Sequence, residues 1–261
     1  MTRPVTQGGA AVRDAVIEAL GRVLDPELDE PITDLGFVTA CDIGASGGVR
    51  VRLRLPTYFC APNFVFLMVA DARDAVMGVP GVSEVEVVVE DHFAADDINA
   101  GVAEGRGFVD TFGHLAASEL DQLRADFLRK AVLVATHRAC QPLLDAGCSV
   151  GELAAKRLGE AHRGAEAERL RDRRMQLGLP AGANSPLVVD PVTGDPISGE
   201  AMGRHLGRAR LTRVSVEANG EICRNLLRDR YGETLVSIGR RRISATGDTG
   251  CVAVAGGHSE N

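Results

Sequence analysis

The chain has 261 residues, 45% hydrophobic and 25% charged, with a net charge of -7 and only 4% aromatic residues. That apolar content supports a buried core and excludes general disorder, and the length suits one large domain or two modest ones. No run of about 18 apolar residues offers a membrane span, and two tyrosines with no tryptophan give little for stacking on nucleic acid. The opening MTRPVTQGGA lacks the apolar segment of an export signal, so a cytoplasmic protein with reduced thiols is expected. Residues 1–93 carry 7 Arg and 14 acidic residues, whereas residues 94–261 carry 22 of each sign. Such a step hints at a domain boundary. An acidic front with a basic rear also argues against a DNA binder.

Val12, Val16, Leu20 and Val23 share one helical face, which predicts a helix over 12–24 stopped by Asp25-Pro26. Residues 36–43 read as a strand and 44–48 as a hairpin loop. Val49, Val51, Leu53 and Leu55 then alternate with Arg50, Arg52 and Arg54, the signature of a half-buried antiparallel strand. Pro62 opens an apolar helix reaching Met77, and Val82–Val89 is a further strand. The order helix, strand, strand, helix, strand predicts an α+β domain with a small mixed sheet over residues 10–93.

Residues 94–113, rich in Gly and Asp, read as a connector. A mainly α-helical region over 114–232 follows. Its first helix carries Leu120, Leu123, Phe127, Ala131 and Val134 and is kinked or ended by Pro142, with Gly147 as its cap. Ser149 and Glu152 form a capping box expected to open a charged helix reaching Gln176. Residues 178–199 are a wrapped loop. Leu211, Val214, Ala218, Ile222 and Leu226 predict a last helix, although Asn219-Gly220 is also a hairpin signal. Residues 244–261 are expected to be a disordered tail.

Six cysteines stand apart without any C-x-x-C, and most suit small buried positions. Cys60 differs, because it lies where a strand hands over to an apolar helix. Unpaired N–H groups and the positive helix end favour a thiolate there, the form that binds soft metals or attacks electrophiles. His137 and Cys140, with Cys148 nearby, could share a transition metal, but ordinary helix packing also explains them. No Glu-x-x-His pairing, phosphate-binding loop or nucleophile elbow occurs. Ten Arg against four acidic residues over 204–242 make a basic stretch, with Arg208, Arg213, Arg224 and Arg228 as candidate partner contacts.

Asp25-Pro26-Glu27, the run Asp34-Leu35-Gly36-Phe37, and Thr57-Tyr58-Phe59-Cys60 occur in an order that resembles the metal–sulfur (iron–sulfur) cluster assembly factor family. That family includes PaaD, SufT and the carrier subunit of the eukaryotic cytosolic iron–sulfur targeting complex. The resemblance covers residues 10–93 and implies the same helix-strand-strand-helix-strand fold. It implies that Cys60 handles iron or a cluster transiently, supported by Asp25, Glu27 and Thr57, whereas Asp34 and Gly36 read as a structural turn before the strand. Two residues separate Thr57 from Cys60, where the family usually has three. The implied role is non-enzymatic: delivery of iron or a cluster to a client metalloprotein, with a multicomponent di-iron monooxygenase as the family analogue. A metal-free scaffold or assembly chaperone, and a thiol enzyme using Cys60, are the alternatives. One cysteine supplies too few of the roughly four ligands each cluster iron takes, so a homodimer or the client would complete the shell.

Overall fold

The computed structural model describes residues 7–44, 46–113, 120–161 and 164–244, with side chains described only within 11–232. The N-terminal part runs α1 (Gln7–Leu20), β1 (Leu24–Asp25), β2 (Glu30–Pro31), β3 (Val38–Ile43), β4 (Gly48–Arg54), α2 (Pro62–Met77) and β5 (Glu84–Glu90). Strands β3, β4 and β5 form one sheet in that order, β3 antiparallel and β5 parallel to β4. Parallel neighbours need a crossover, and α2 supplies it. The alternation in β4 divides its faces as expected. Val49, Val51 and Leu53 are buried with Val85, Val87 and Val89, while Arg50 reaches Glu86 at 3.1 Å and Arg54 reaches Glu90 at 3.0 Å. The expected α+β fold followed by a mainly helical region is what the chain adopts.

Several boundaries differ. Helix α1 ends at Leu20, not at Asp25-Pro26, and its last turns close on Gly21, Arg22 and Val23. Leu24 and Asp25 instead pair with Glu30 and Pro31, and Asp25 caps the tight turn between them. The stretch read as a connector holds two helices, α3 (Ala95–Ala103) and α4 (Phe108–Phe112). Ile98 and Val102 are buried in the same core as the sheet, and Phe108 stacks edge-on to Phe66 of α2 at 5.6 Å. Gly101 is the reason its glycine content misleads: a Cβ there would collide with Thr111 of α4, so the residue serves close helix packing, not a loop. Asn99 gives its amide to the edge of β5, accepting from the Val89 N–H at 2.9 Å and donating to its carbonyl at 3.1 Å.

A second core forms among α5 (Asp121–Asp145), α6 (Ala165–Gln176), the wrapped loop and the start of α7 (Glu200–Ser244). Pro142 lies inside α5, three residues before its end. The Ser149–Glu152 box is made, but it opens only a short 3-10 turn, Glu152–Ala155. Arg174 is fully buried and donates to the carbonyls of Pro186 at 2.9 Å and Leu187 at 2.5 Å, which pins the loop in place. The last helix is longer than expected and carries Asn219-Gly220 inside it, with one non-helical residue, Gly232. The stripe that predicted it faces outward: Leu211, Val214, Ile222 and Leu226 are exposed, while Val216, Gly220 and Leu227 are buried. The expected tail beyond Ser244 lies outside the described residues.

Candidate functional site

Cys60 sits two residues before Pro62, the first residue of α2, and half-buried against the first core. Pro62 fits there because the first helical N–H has no partner to lose. The Ala61 carbonyl starts the helix by accepting from Phe64 and Val65. The Thr57 hydroxyl and the Cys60 thiol are in hydrogen-bond contact at 3.3 Å. Two intervening residues therefore suffice to bring Thr57 back onto the cysteine.

The corner is held from three sides. His92 bonds through Nε2 to the Cys60 carbonyl at 2.7 Å, and its Nδ1 accepts from the Ala94 N–H at 3.2 Å. That pairing fixes the neutral tautomer, with the proton on Nε2. Burial also lowers the affinity of His92 for a second proton. The only histidine near Cys60 in the sequence thus positions backbone, and its contact is to the carbonyl, not the thiol. Phe93 N–H bonds the Tyr58 carbonyl at 3.1 Å. From α7, Arg230 donates to the carbonyls of Leu55 at 3.1 Å and Asp91 at 2.6 Å.

Asp25 is 8% exposed, and its Oδ1 accepts from the N–H groups of Glu27 and Leu28, both at 2.9 Å. Burial outweighs those two bonds and pushes its carboxyl up to about 6. Glu27 accepts from Asn219 of α7 at 3.3 Å, and Glu30 pairs with Arg224 at 2.7 Å. Cys223, on the same face of α7, is half-buried against the first core. Burial pushes its thiol up to about 11, and Asp25, Cys60 and Glu27 add to the effect. The predicted Cys60, Asp25 and Glu27 therefore converge around a helix that sequence reasoning placed in a separate domain.

Other candidates fare differently. Arg213 is tied to Glu217 at 2.7 Å and Arg224 to Glu30 and Glu221, so two of the four candidate partner arginines are neutralised within the chain. Arg228 bonds Asn225, and Arg208 is exposed. Cys140 is fully buried and its thiol pushed up to about 12, while Cys148 packs against the second core and its thiol donates to the Ser149 carbonyl at 3.6 Å. Among the described residues, no three His, Cys, Asp or Glu side chains are grouped to hold a metal ion, there or at Cys60. Gly36 has φ 81°, in keeping with its structural reading. Sequence reasoning missed Asp29, a non-glycine residue with φ 53° whose buried carboxylate meets Arg173 of α6 at 2.6 Å. It also missed the exposed rings beside the cysteine: Phe59 is 76% exposed, with Tyr58 and Phe93 within 6 Å of its centroid.

Residues 13–87 match the family model described as iron-sulfur cluster assembly protein. The uncharacterized protein MJ1129 of Methanocaldococcus jannaschii is 33% identical over 87 residues, which is 33% of this chain and 90% of that protein. The chain belongs to the iron–sulfur cluster assembly family through this domain. The assembly domain is also 40% identical over 76 residues to the iron-sulfur cluster carrier protein of Mycobacterium tuberculosis. It is 36% identical over 84 residues to that of Mycobacterium leprae. Those matches cover 29% and 32% of this chain, and only 19% and 21% of the two carriers. No solved structure matches the chain. Helices α5 to α7 lie outside the matched domain.

Proposed function

We propose that this protein is a cytoplasmic, non-enzymatic maturation factor that takes up iron or an iron–sulfur cluster at Cys60 and hands it to a client metalloprotein. The observation that carries this reading is the Cys60–Thr57 contact at the head of α2, within a domain of the iron–sulfur assembly family. Membership supports a general assembly role. The name of the mycobacterial relatives, iron-sulfur cluster carrier protein, points to delivery. The resemblance of the Asp25-Pro26-Glu27, Asp34-Leu35-Gly36 and Thr57–Cys60 motifs to PaaD favours a component of a multicomponent oxygenase as the client.

The corner suits transient loading. Cys60 is reachable, its loop is fixed by His92 and Arg230, and the ligand set offered by this chain is incomplete, so a client or a second protomer can complete it. Tyr58, Phe59 and Phe93 form an exposed apolar rim at the point of transfer. The helical region supplies client recognition through Arg208 and the neighbouring α7 surface. Anaerobic incubation with iron and sulfide should produce visible absorbance that Cys60→Ala removes. Absorbance that survives Cys60→Ala defeats the reading.

The absence of a three-ligand group among the described residues favours one alternative, a metal-free scaffold. A scaffold takes up no iron, yet its Cys60→Ala variant retains the client. A thiol enzyme receives less support, since the imidazole of His92 is spent on backbone.

A further inference from the structure

We propose that a cavity between α5 and α7 binds a small organic acid, a carboxylate carried on an apolar body. The site is independent of the cargo reading, since its lining lies wholly outside the matched residues 13–87. Its walls are two helical faces. His137, Gln141 and Leu144 come from α5, and Leu206, Arg210 and Arg213 from α7, both sets at the four- and three-residue spacing that keeps side chains on one face. Between them lies a cavity of about 570 Å³, within the range of roughly 300–1,000 Å³ that holds small organic ligands.

The formal charges lining it are those of Arg210 and Arg213, with no Asp or Glu among the lining residues. Arg213 pairs with Glu217 at 2.7 Å and leaves its buried Nε without a partner. Arg138 also reaches Glu217, at 3.1 Å, and Glu166 at 3.8 Å, while Arg210 makes no ion pair among the described residues. Three arginines thus meet two carboxylates, a surplus of a single positive charge that matches a monoanion. His137 is 8% exposed, and its Nδ1 also lacks a hydrogen-bond partner. Burial, then the charges of Arg213 and Arg210, hold its pKa below the usual value, so the imidazole stays neutral and the arginines set the sign of the site. An arginine fork matches a carboxylate through paired charge-assisted bonds. Leu144, Val150 and Leu206 add apolar wall, which favours a hydrocarbon body over a bare inorganic ion. Gly207 keeps the space open: it lines the cavity, and a Cβ there would meet nothing within 4 Å.

Octanoate serves as the probe, titrated by calorimetry into the full chain at neutral pH. The expected result is saturable binding at a single site, weakened about tenfold or more in Arg210→Gln by loss of a charged partner. Gly207→Leu should abolish it, because the new side chain enters the open space and suits a helix better than glycine does. 1-Octanol, with the same tail and no charge, should bind at least about tenfold more weakly than octanoate, and so should inorganic phosphate. Absence of saturable binding up to about 5 mM octanoate overturns the proposal, as does binding that survives Gly207→Leu. Octanol that equals octanoate makes the cavity a plain apolar hole, and phosphate that equals it makes a bare-anion site; either overturns the organic-acid assignment. Arg210 is exposed, so Arg210→Gln carries the test should Gly207→Leu fail to fold, and unchanged octanoate affinity in that variant also overturns the proposal.

Discussion

The two cores of this protein bury polar groups for different ends. In the second, the buried Arg174 is spent on the carbonyls of the wrapped loop, and Cys140 of α5 is fully buried. Those contacts are structural: they close a segment rich in turn-forming residues that lacks a ladder of its own. In the first, the buried polar groups gather at one corner. Asp25 is held in a place that disfavours its charge, His92 is locked to the backbone of Cys60, and Cys60 itself is only partly buried. A group kept where burial penalises its charge marks a site candidate more convincingly than a well-satisfied one.

The sharpest test of this contrast is thiol access. Iodoacetamide with peptide mapping should modify Cys60 about a thousandfold faster than Cys140, whose exposure requires opening of a core. Equal rates would erase the distinction between the two cores.

Next comes the link between them. Arg173→Ala strands the buried Asp29 carboxylate and should cost about 3 kcal/mol in urea unfolding. A loss below about 1 kcal/mol would mean that the two cores are held together elsewhere, for instance by the Arg124–Asp71 pair at 2.7 Å.

Asp25 gives a smaller effect with a pH signature. Its carboxyl titrates near 6 in the fold, above the usual value of 3.8, so the native state binds the extra proton and stability falls as pH rises from about 4 to about 6. Asp25→Asn keeps an oxygen for the Glu27 and Leu28 N–H groups. It should gain of order 2 kcal/mol at pH 8, with the gain fading towards pH 4. Urea unfolding across that range decides it, and a pH-independent difference would show that the carboxyl is not strained. Smallest of all, Phe59→Ser should change stability by less than about 0.5 kcal/mol, because the ring is mostly in solvent. Pull-down of the proposed client should nonetheless weaken, and undiminished capture would remove the aromatic rim from the proposed transfer surface.

How much of this was legible in the sequence depends on range. The β4 alternation, the Pro62 start of α2 and the position of Cys60 are local, and periodicity and helix-end chemistry expose them. The 94–113 segment was misread because glycine and aspartate signal loops, while here Gly101 and Asn99 do packing and edge-capping that only the tertiary structure reveals. The apolar stripe of α7 located the helix and pointed to the wrong face. Its docked side is built of Gly220, Cys223, Asn219 and Arg224, and the groups they meet lie some 190 residues earlier, as in the Arg224–Glu30 pair. Nothing in a local pattern encodes a partner at that distance. Asp29 gave no sign at all, since its left-handed backbone is a property of the turn it closes.

That separation along the chain sets an order of events during synthesis. At roughly 5–20 residues per second, the stretch of about 160 residues from Cys60 to Arg224 takes on the order of 10–30 s to be made. The assembly domain holds its own strands and crossover helix before residue 104, so it can fold while α7 is still unmade. For that interval the acidic turn lacks Arg224, and the Leu55 and Asp91 carbonyls lack Arg230. The closing helix arrives last, and a chain stopped short of it would carry an assembly domain whose Glu30 carboxylate and Leu55 and Asp91 carbonyls lack their arginine partners.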